Sequence, residues 1–285
     1  MSHLSTSWLA VLAVATMGCA QIPDPVKRKD LADGFATQNN WVAKLVHTDS
    51  FAIQTYEPKE TEHNRRLVIY FEGDGLAWLS STRPSSDPSP IDPVGLKMAM
   101  AHTGQQARAY VARPCQYVLD PLCRQKHWTG HRFSKEVIDS TAQVVDERKR
   151  RTGASRLVLV GYSGGAAIAA LLAAQRQDVD ALVTVAGNLD TDAWVRHHGL
   201  SPLAGSMNPT EHASQLKGVV QFHFVGGQDK VVPASLVKNF ASAGSDSRLV
   251  HVSNQTDFDH VCCWAQNWPK LWSQVEFTLT KKTDQ

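Results

Sequence analysis

Residues 156–167 constrain the fold more than any other stretch of the 285-residue chain. An apolar run ends at Gly161, the sequence Gly-Tyr-Ser-Gly-Gly occupies residues 161–165, and an alanine-rich segment follows. This pattern predicts a buried strand that turns sharply into a helix. Glycines on both sides of Ser163 relieve the crowding of such a turn, because glycine has no Cβ atom. The turn would place the Ser163 hydroxyl at the N-terminus of the helix, where unpaired N–H groups can hold an oxyanion.

Apolar runs alternate with helical patterns along the rest of the chain. Besides the strand before Ser163, strands are predicted at residues 51–56, 67–71, 107–112, 181–186, 219–225 and 248–252. Helices are predicted at residues 94–102, 133–151, 164–175, 233–240 and 264–278, whereas residues 113–132 and 187–215 are interpreted as irregular. The spacing fits βαβ units and predicts an α/β fold, a mostly parallel central sheet with helices on both faces. We assign one domain to residues 49–280, because the chain shows no repeat and no second core.

The first 20 residues are predicted to form a signal peptide. Residues 1–18 contain no Lys, Arg, Asp or Glu, and the apolar run from Trp8 to Met17 is too short to cross a bilayer. Small residues before Cys19 resemble a bacterial lipobox, in which that cysteine would be lipidated and become the mature N-terminus. Cleavage after Ala20 is the alternative. Residues 21–48, rich in proline and charge at their start, are interpreted as a linker or N-terminal extension.

The remaining cysteines agree with export. Cys115, Cys123, Cys262 and Cys263 form an even set, which in an oxidising compartment indicates two disulfides. Either each close pair is bridged, or two bridges tie one segment to the other. We therefore expect a periplasmic protein or an envelope lipoprotein held at the membrane through Cys19. The net charge of +2 gives no reason to expect a nucleic-acid partner.

A serine nucleophile needs a base and a third group that orients the base. Asp229 follows the apolar strand at residues 219–225, and His260 follows the next strand, so both should reach the same sheet edge as Ser163. Asp190, which follows the strand at residues 181–186, is the alternative to Asp229 as the acid. We expect the N–H groups of Gly164 and Asp74 to form the oxyanion hole, with Gly73 as the alternative to Asp74. No spacing of paired metal ligands accompanies these residues, so neither a metal nor a cofactor is expected.

These motifs together resemble the serine hydrolases of the α/β-hydrolase superfamily. The resemblance rests on the serine turn, on Gly-Gln-Asp-Lys-Val-Val-Pro at residues 227–233, on His260 and on Glu-Gly-Asp-Gly at residues 72–75. The sequence at residues 70–78 and 113–117 also resembles that of exported lipoprotein-type hydrolases of Gram-negative bacteria. The resemblance implies an ester or amide hydrolase that acts on a small acyl substrate through an acyl-enzyme.

Two other functions fit the same residues. An acyltransferase would use the same triad with an alcohol acceptor, and an envelope lipoprotein could keep the fold as a binding module without catalysis. The acidic loop at residues 72–75 is the feature that the hydrolase hypothesis leaves unexplained, because a negative side chain facing an oxyanion would oppose its formation.

Overall fold

The computed structural model describes residues 22–60, 64–243 and 248–283. The strands in these ranges are β1 Trp41–His47, β2 Ala52–Pro58, β3 Arg66–Phe71, β4 Trp78–Ser80, β5 Arg83–Pro84, β6 Ala107–Val111, β7 Arg156–Tyr162, β8 Val179–Val185, β9 Val220–Gly226 and β10 Val250–Gln255. The α-helices are α1 Pro25–Gln38, α2 Val94–Ala101, α3 Lys135–Thr152, α4 Gly164–Ala174, α5 Thr191–His198, α6 Ala234–Ser242 and α7 Trp264–Thr283. Short 3₁₀ helices cover Gln125–Trp128 and Pro209–Leu216.

Eight of these strands form one sheet in the order β1-β2-β6-β3-β7-β8-β9-β10. The pairs β1/β2 and β2/β6 are antiparallel, and every pair from β6 to β10 is parallel. The carboxyl ends of β3, β7, β9 and β10 therefore meet at one edge of the sheet, where ligands bind in open α/β sheets. The predicted fold class is confirmed.

Each face of the sheet carries its own apolar core. Along β7, Leu157 and Leu159 belong to the core under α3, α4 and α6, while Val158 and Val160 belong to the core under α1, α2 and α7. Successive strand residues point to opposite faces, so a strand that is covered on both sides must be apolar throughout. Apart from the arginine that begins each of them, the central strands β3 and β7 satisfy this condition.

The interpretation of residues 21–48 as a linker needs correction. Asp24 caps α1 by accepting a hydrogen bond from the Lys27 N–H at 2.9 Å, and Pro25 occupies the first turn. Proline fits there because its missing N–H would be unpaired in any case. The strand β1 then pairs with β2 along its whole length. The domain therefore begins before residue 49. The signal-peptide and lipobox predictions lie outside the described residues.

Residues 187–215 are also more regular than predicted. They contain α5, which Asp190 caps by accepting from the Ala193 N–H at 2.9 Å, and most of the second 3₁₀ helix. Polar residues dominate α5, so its sequence resembles a loop unless the cap is recognised. None of the helices in the described ranges is both long enough and apolar enough to cross a membrane.

Candidate active site

Ser163 sits in the sharp turn between β7 and α4 with φ 51° and ψ −120°. A residue other than glycine rarely adopts a positive φ, and such backbone strain persists only where the surrounding structure holds it. Gly161 and Gly165 make the turn possible, because a Cβ atom at Gly161 would collide with the α4 backbone and one at Gly165 would collide with the Phe71 and Glu72 carbonyls. The predicted strand, turn and helix are all present.

The structure brings the three predicted triad residues together. His260 Nε2 lies 2.9 Å from Ser163 Oγ, and His260 Nδ1 lies 2.9 Å from Asp229 Oδ2. The Asp229 side chain is fully buried, whereas the His260 side chain retains 14% exposure. This geometry allows the imidazole to take a proton from the serine on one side while the carboxylate holds its other nitrogen.

Neighbouring groups fix the acid and the base. Asp229 Oδ1 accepts hydrogen bonds from the Val231 and Val232 N–H groups, both at 2.8 Å, which leaves Oδ2 for the histidine. The main-chain carbonyl of His260 accepts from the Tyr162 hydroxyl at 2.9 Å and from Trp264 Nε1 at 3.1 Å. Sequence reasoning missed Tyr162 and Trp264 because their contact with His260 depends on tertiary packing.

The alternative acid and the alternative oxyanion donor both have other roles. Asp190 caps α5 and is hydrogen-bonded there. The Gly73 N–H donates to Glu72 Oε1 at 2.9 Å, so Gly73 is not available as the alternative donor. Within the described parts of the chain, the N–H groups of Gly164 and Asp74 donate to no protein acceptor. These two remain the predicted oxyanion donors.

A cleft of about 450 Å³ opens over the serine. Ser163, His260 and the Glu72–Gly75 loop lie in its wall, together with Arg132 and Asn188. Its apolar lining consists of Leu76, Ala77, Trp78, Pro90, Ile91, Val94, Trp194, Val231, Val232 and Val261. Such a mainly apolar cleft with a few convergent polar groups suits a small organic substrate.

Comparison with solved structures finds the same fold in several hydrolases. The chain resembles the Pyrococcus furiosus esterase Pf2001 (14% identity, TM-score 0.59, covering 86% of this chain and 94% of the esterase). It also resembles Est1E from Butyrivibrio proteoclasticus (12% identity, TM-score 0.60, covering 84% and 99%) and an alpha-beta serine hydrolase homologue from Coxiella burnetii (17% identity, TM-score 0.52, covering 85% and 96%). The model of the dienelactone hydrolase family matches residues 118–253.

The chain has the α/β-hydrolase fold, which it shares with these esterases. The match to a family of hydrolases and the fold shared with esterases are consistent with the expected enzyme class, a carboxylic-ester hydrolase. No curated protein sequence matches this chain significantly.

The first carboxylate of the acidic loop is buried and fully hydrogen-bonded. Glu72 is 1% exposed and accepts hydrogen bonds from four donors, which are the N–H groups of Gly73, Gly95 and Leu96 and the Tyr110 hydroxyl. Burial raises the pKa of Glu72 to about 7, although the surrounding donors favour the ionised form. The side chain thus ties the loop to the start of α2, beneath the cleft.

The second carboxylate is neutralised by two arginines. Asp74 Oδ1 lies 2.8 Å from Arg113 Nη1, and Asp74 Oδ2 lies 2.5 Å from Arg132 Nη1. Burial alone would raise the pKa of Asp74, but the charges of Arg132 and Arg113 hold it below its usual value. The cluster carries one negative and two positive charges, so it does not oppose an oxyanion. Sequence analysis did not identify either arginine.

Both close cysteine pairs are bridged. Cys115 bonds to Cys123 with a Cα–Cα distance of 5.7 Å, and Cys262 bonds to Cys263. The alternative, in which two bridges tie the segments together, is not the arrangement found. Within the described ranges, no group of three or more His, Cys, Asp or Glu side chains is placed to hold a metal ion.

Proposed function

We propose that this α/β-hydrolase cleaves small carboxylic esters through an acyl-enzyme on Ser163. The observation that carries the proposal is the continuous hydrogen-bonded chain from Ser163 Oγ through the His260 ring to Asp229, at 2.9 Å in both steps. A serine hydroxyl is a weak nucleophile at neutral pH, and this arrangement supplies both the base and the group that orients it.

In the acylation step, Ser163 Oγ attacks the carbonyl carbon of the ester while His260 Nε2 takes the hydroxyl proton. The carbonyl oxygen becomes an oxyanion, which the N–H groups of Gly164 and Asp74 stabilise. Collapse of the tetrahedral intermediate breaks the bond to the alcohol oxygen. His260 then returns its proton to that oxygen, and the alcohol leaves.

In the deacylation step, His260 takes a proton from a water molecule, which attacks the acyl carbonyl carbon. The second tetrahedral intermediate collapses, the bond to Ser163 Oγ breaks, and His260 returns the proton to the serine. Asp229 holds the imidazole throughout both steps and stabilises the imidazolium.

The cleft supports a substrate with an apolar acyl or alcohol portion. Trp78 and Trp194 supply large apolar surfaces in the cleft that holds Ser163, and the Arg132 guanidinium lies 5.9 Å from the centroid of the Trp194 ring. A volume of about 450 Å³ fits a small ester better than a polymer. The match to dienelactone hydrolases, which are named for a cyclic ester, supports the same class of substrate.

A fluorophosphonate probe and a series of p-nitrophenyl esters test the proposal. We expect the probe to label Ser163 and the esters to be hydrolysed, with both activities lost in Ser163→Ala. Ser273→Ala, which alters an exposed serine on α7, is the matched control and should remain fully active. Folded wild-type protein that neither reacts with the probe nor turns over any ester would refute the proposal and favour a binding module.

The same assay separates hydrolysis from acyl transfer. With an added alcohol acceptor, a hydrolase should release mostly the free acid, whereas an acyltransferase should form mostly the new ester. Predominant transfer at millimolar alcohol concentrations would replace the hydrolase assignment with the acyltransferase.

We further propose export and lipidation at Cys19, on the strength of the lipobox-like residues and the two cysteine pairs. Expression in a Gram-negative host with labelled palmitate should give a labelled envelope protein, and Cys19→Ser should abolish the label. An unlabelled periplasmic protein beginning at Gln21 would instead identify cleavage after Ala20.

A further inference from the structure

Gln116 holds the oxyanion loop from behind. Its Nε2 donates to the Gly73 carbonyl at 2.9 Å and to the Pro88 carbonyl at 3.4 Å, and its Oε1 accepts from the Arg113 N–H at 3.0 Å. The side chain is 1% exposed. Its neighbours Cys115 and Tyr117 have φ values of 70° and 65°, so the backbone here adopts an unusual local conformation.

The segment that carries Gln116 is itself anchored. The Cys115–Cys123 disulfide closes its downstream loop, and the Tyr117 N–H donates to Ser89 Oγ at 2.6 Å. Gln116 is therefore a fixed donor instead of a mobile side chain that could follow the loop.

The bond to the Gly73 carbonyl also orients the Asp74 N–H. These two groups belong to one planar trans peptide unit, in which the carbonyl and the N–H point in opposite directions. Since Gln116 holds the carbonyl, the N–H must point to the other side of the loop. The nucleophile is close to this unit, because a Cβ atom built on Gly73 would lie 3.2 Å from Ser163 Cβ.

The other end of the peptide unit is fixed by the carboxylate of Asp74. Arg113 and Arg132 bind its two oxygens, and Arg132 Nε also donates to the Thr129 carbonyl at 2.8 Å. The Arg113 guanidinium lies over the Phe133 ring, 5.0 Å from its centroid. Both sides of the Gly73–Asp74 peptide are thus attached to the same segment, residues 113–133.

We propose that Gln116 is a positioning residue, which orients the Gly73–Asp74 peptide so that the Asp74 N–H serves as the second oxyanion donor. This inference rests on the proposed serine-hydrolase function. Donors held in place before the reaction stabilise the transition state more than donors that must reorient, so loss of Gln116 should reduce the rate and spare ground-state binding.

The variant Gln116→Met tests this role, because methionine has a similar size and cannot donate a hydrogen bond. Removal of an oxyanion donor costs about 100- to 1000-fold in kcat, so loss of its positioning should cost about 10- to 100-fold. We expect KM to change by less than about threefold. The inhibition constant of a trifluoromethyl ketone, whose adduct carries the oxyanion, should rise by about the same factor as kcat falls.

Gln54→Met is the matched control. Gln54 is also buried, and its Nε2 also donates to two main-chain carbonyls, those of Lys44 and Thr55, but it lies on β2 away from the cleft. It should lose a similar amount of stability and keep its kcat and its affinity for the ketone. If Gln116→Met does not fold, Gln116→Leu replaces it, since leucine also lacks the donor to Gly73 and adds no titratable group to the buried site.

The outcomes are distinct. Wild-type kcat and ketone affinity in the folded Gln116 variant would overturn the inference, as would equal losses in the Gln54 control. A rise in KM alone would assign Gln116 to substrate binding and would also overturn it. If the Ser163→Ala variant kept the esterase activity of the wild type, that result would instead refute the proposed function on which the inference rests.

Discussion

The Tyr162 hydroxyl donates a hydrogen bond to the main-chain carbonyl of His260 at 2.9 Å. The residue directly before Ser163 thus holds the backbone of His260, 98 positions later in the chain. The two rings are also close, with centroids 5.5 Å apart. This contact holds His260 against the turn that presents Ser163.

Loss of that hydroxyl should loosen the base. We expect Tyr162→Phe to remain folded, to lose about 1 kcal/mol of stability, and to lower kcat/KM by about tenfold, because small displacements of a base are costly. Tyr56→Phe is the control, since it removes a hydroxyl that bonds Asp33 at 2.7 Å in a remote part of the fold. Equal activity in the two variants would show that Tyr162 does not position His260.

The acid of the triad can be tested against its sequence alternative. Asp229→Asn should lower kcat by about 10⁴-fold, the effect that such a change has in a serine protease triad, because the amide favours the wrong imidazole tautomer. Asp190→Asn should keep most of the activity, since Asn also caps helices well. Initial rates on one p-nitrophenyl ester compare the two, and a larger loss at Asp190 would reverse the assignment.

Buried Glu72 predicts a particular dependence of stability on pH. Its folded-state pKa of about 7 exceeds the ordinary value of 4.5, so the native state binds more protons than the unfolded state between these values. Its contribution to stability is therefore complete below about pH 4.5 and is lost as the pH rises through about 7, at no more than about 1.4 kcal/mol per pH unit.

Glu72→Gln should remove this pH-dependent contribution to the free energy of unfolding. Urea unfolding of wild type and variant at pH 5, 6, 7 and 8 gives the difference between their unfolding free energies. We expect the wild-type advantage to shrink from pH 5 to pH 7 and then to level off. A difference that stays constant with pH would show that the donors around Glu72 keep it ionised throughout.

Two buried histidines have the opposite effect in acid. Burial lowers the pKa of His102 to about 4 and that of His223 to about 3, below the ordinary 6.5. The unfolded state then binds the extra protons, so stability falls as the pH drops below about 6.5. His223→Gln should make the unfolding free energy less steep between pH 6 and pH 4. An unchanged slope in that variant would contradict the prediction.

The three triad residues could be predicted from the sequence because each directly follows a strand that can be recognised from local sequence. Ser163 and Asp229 follow apolar runs, His260 follows the short strand β10, and parallel strands bring their carboxyl ends to one edge. The catalytic roles of the three remain predictions. The buried arginines could not be found in the same way, because Arg113 and Arg132 lie in an irregular segment and meet Asp74 only through the folded chain.

The N-terminal part shows a different kind of failure. Pro23, Asp24 and Pro25 were interpreted as marks of a linker, although Asp24 and Pro25 are also the residues that begin a helix well. α1 has no pronounced apolar stripe, and only three of its residues are buried, so periodicity gave no signal. Its attachment comes instead from specific contacts, such as the bonds of Arg28 to the Asp87 and Ser89 carbonyls.

The position of β10 at the end of the sheet divides the active site into a central and a peripheral half. The serine turn and the Glu72–Gly75 loop follow central strands, whereas His260 follows β10, a largely exposed strand that pairs, within the described ranges, with β9 alone. Edge structure opens at a lower free-energy cost than the centre of a sheet. Mild heat or denaturant should therefore displace His260 before the rest of the site. The molecule should then remain folded by most spectroscopic criteria and have lost its activity.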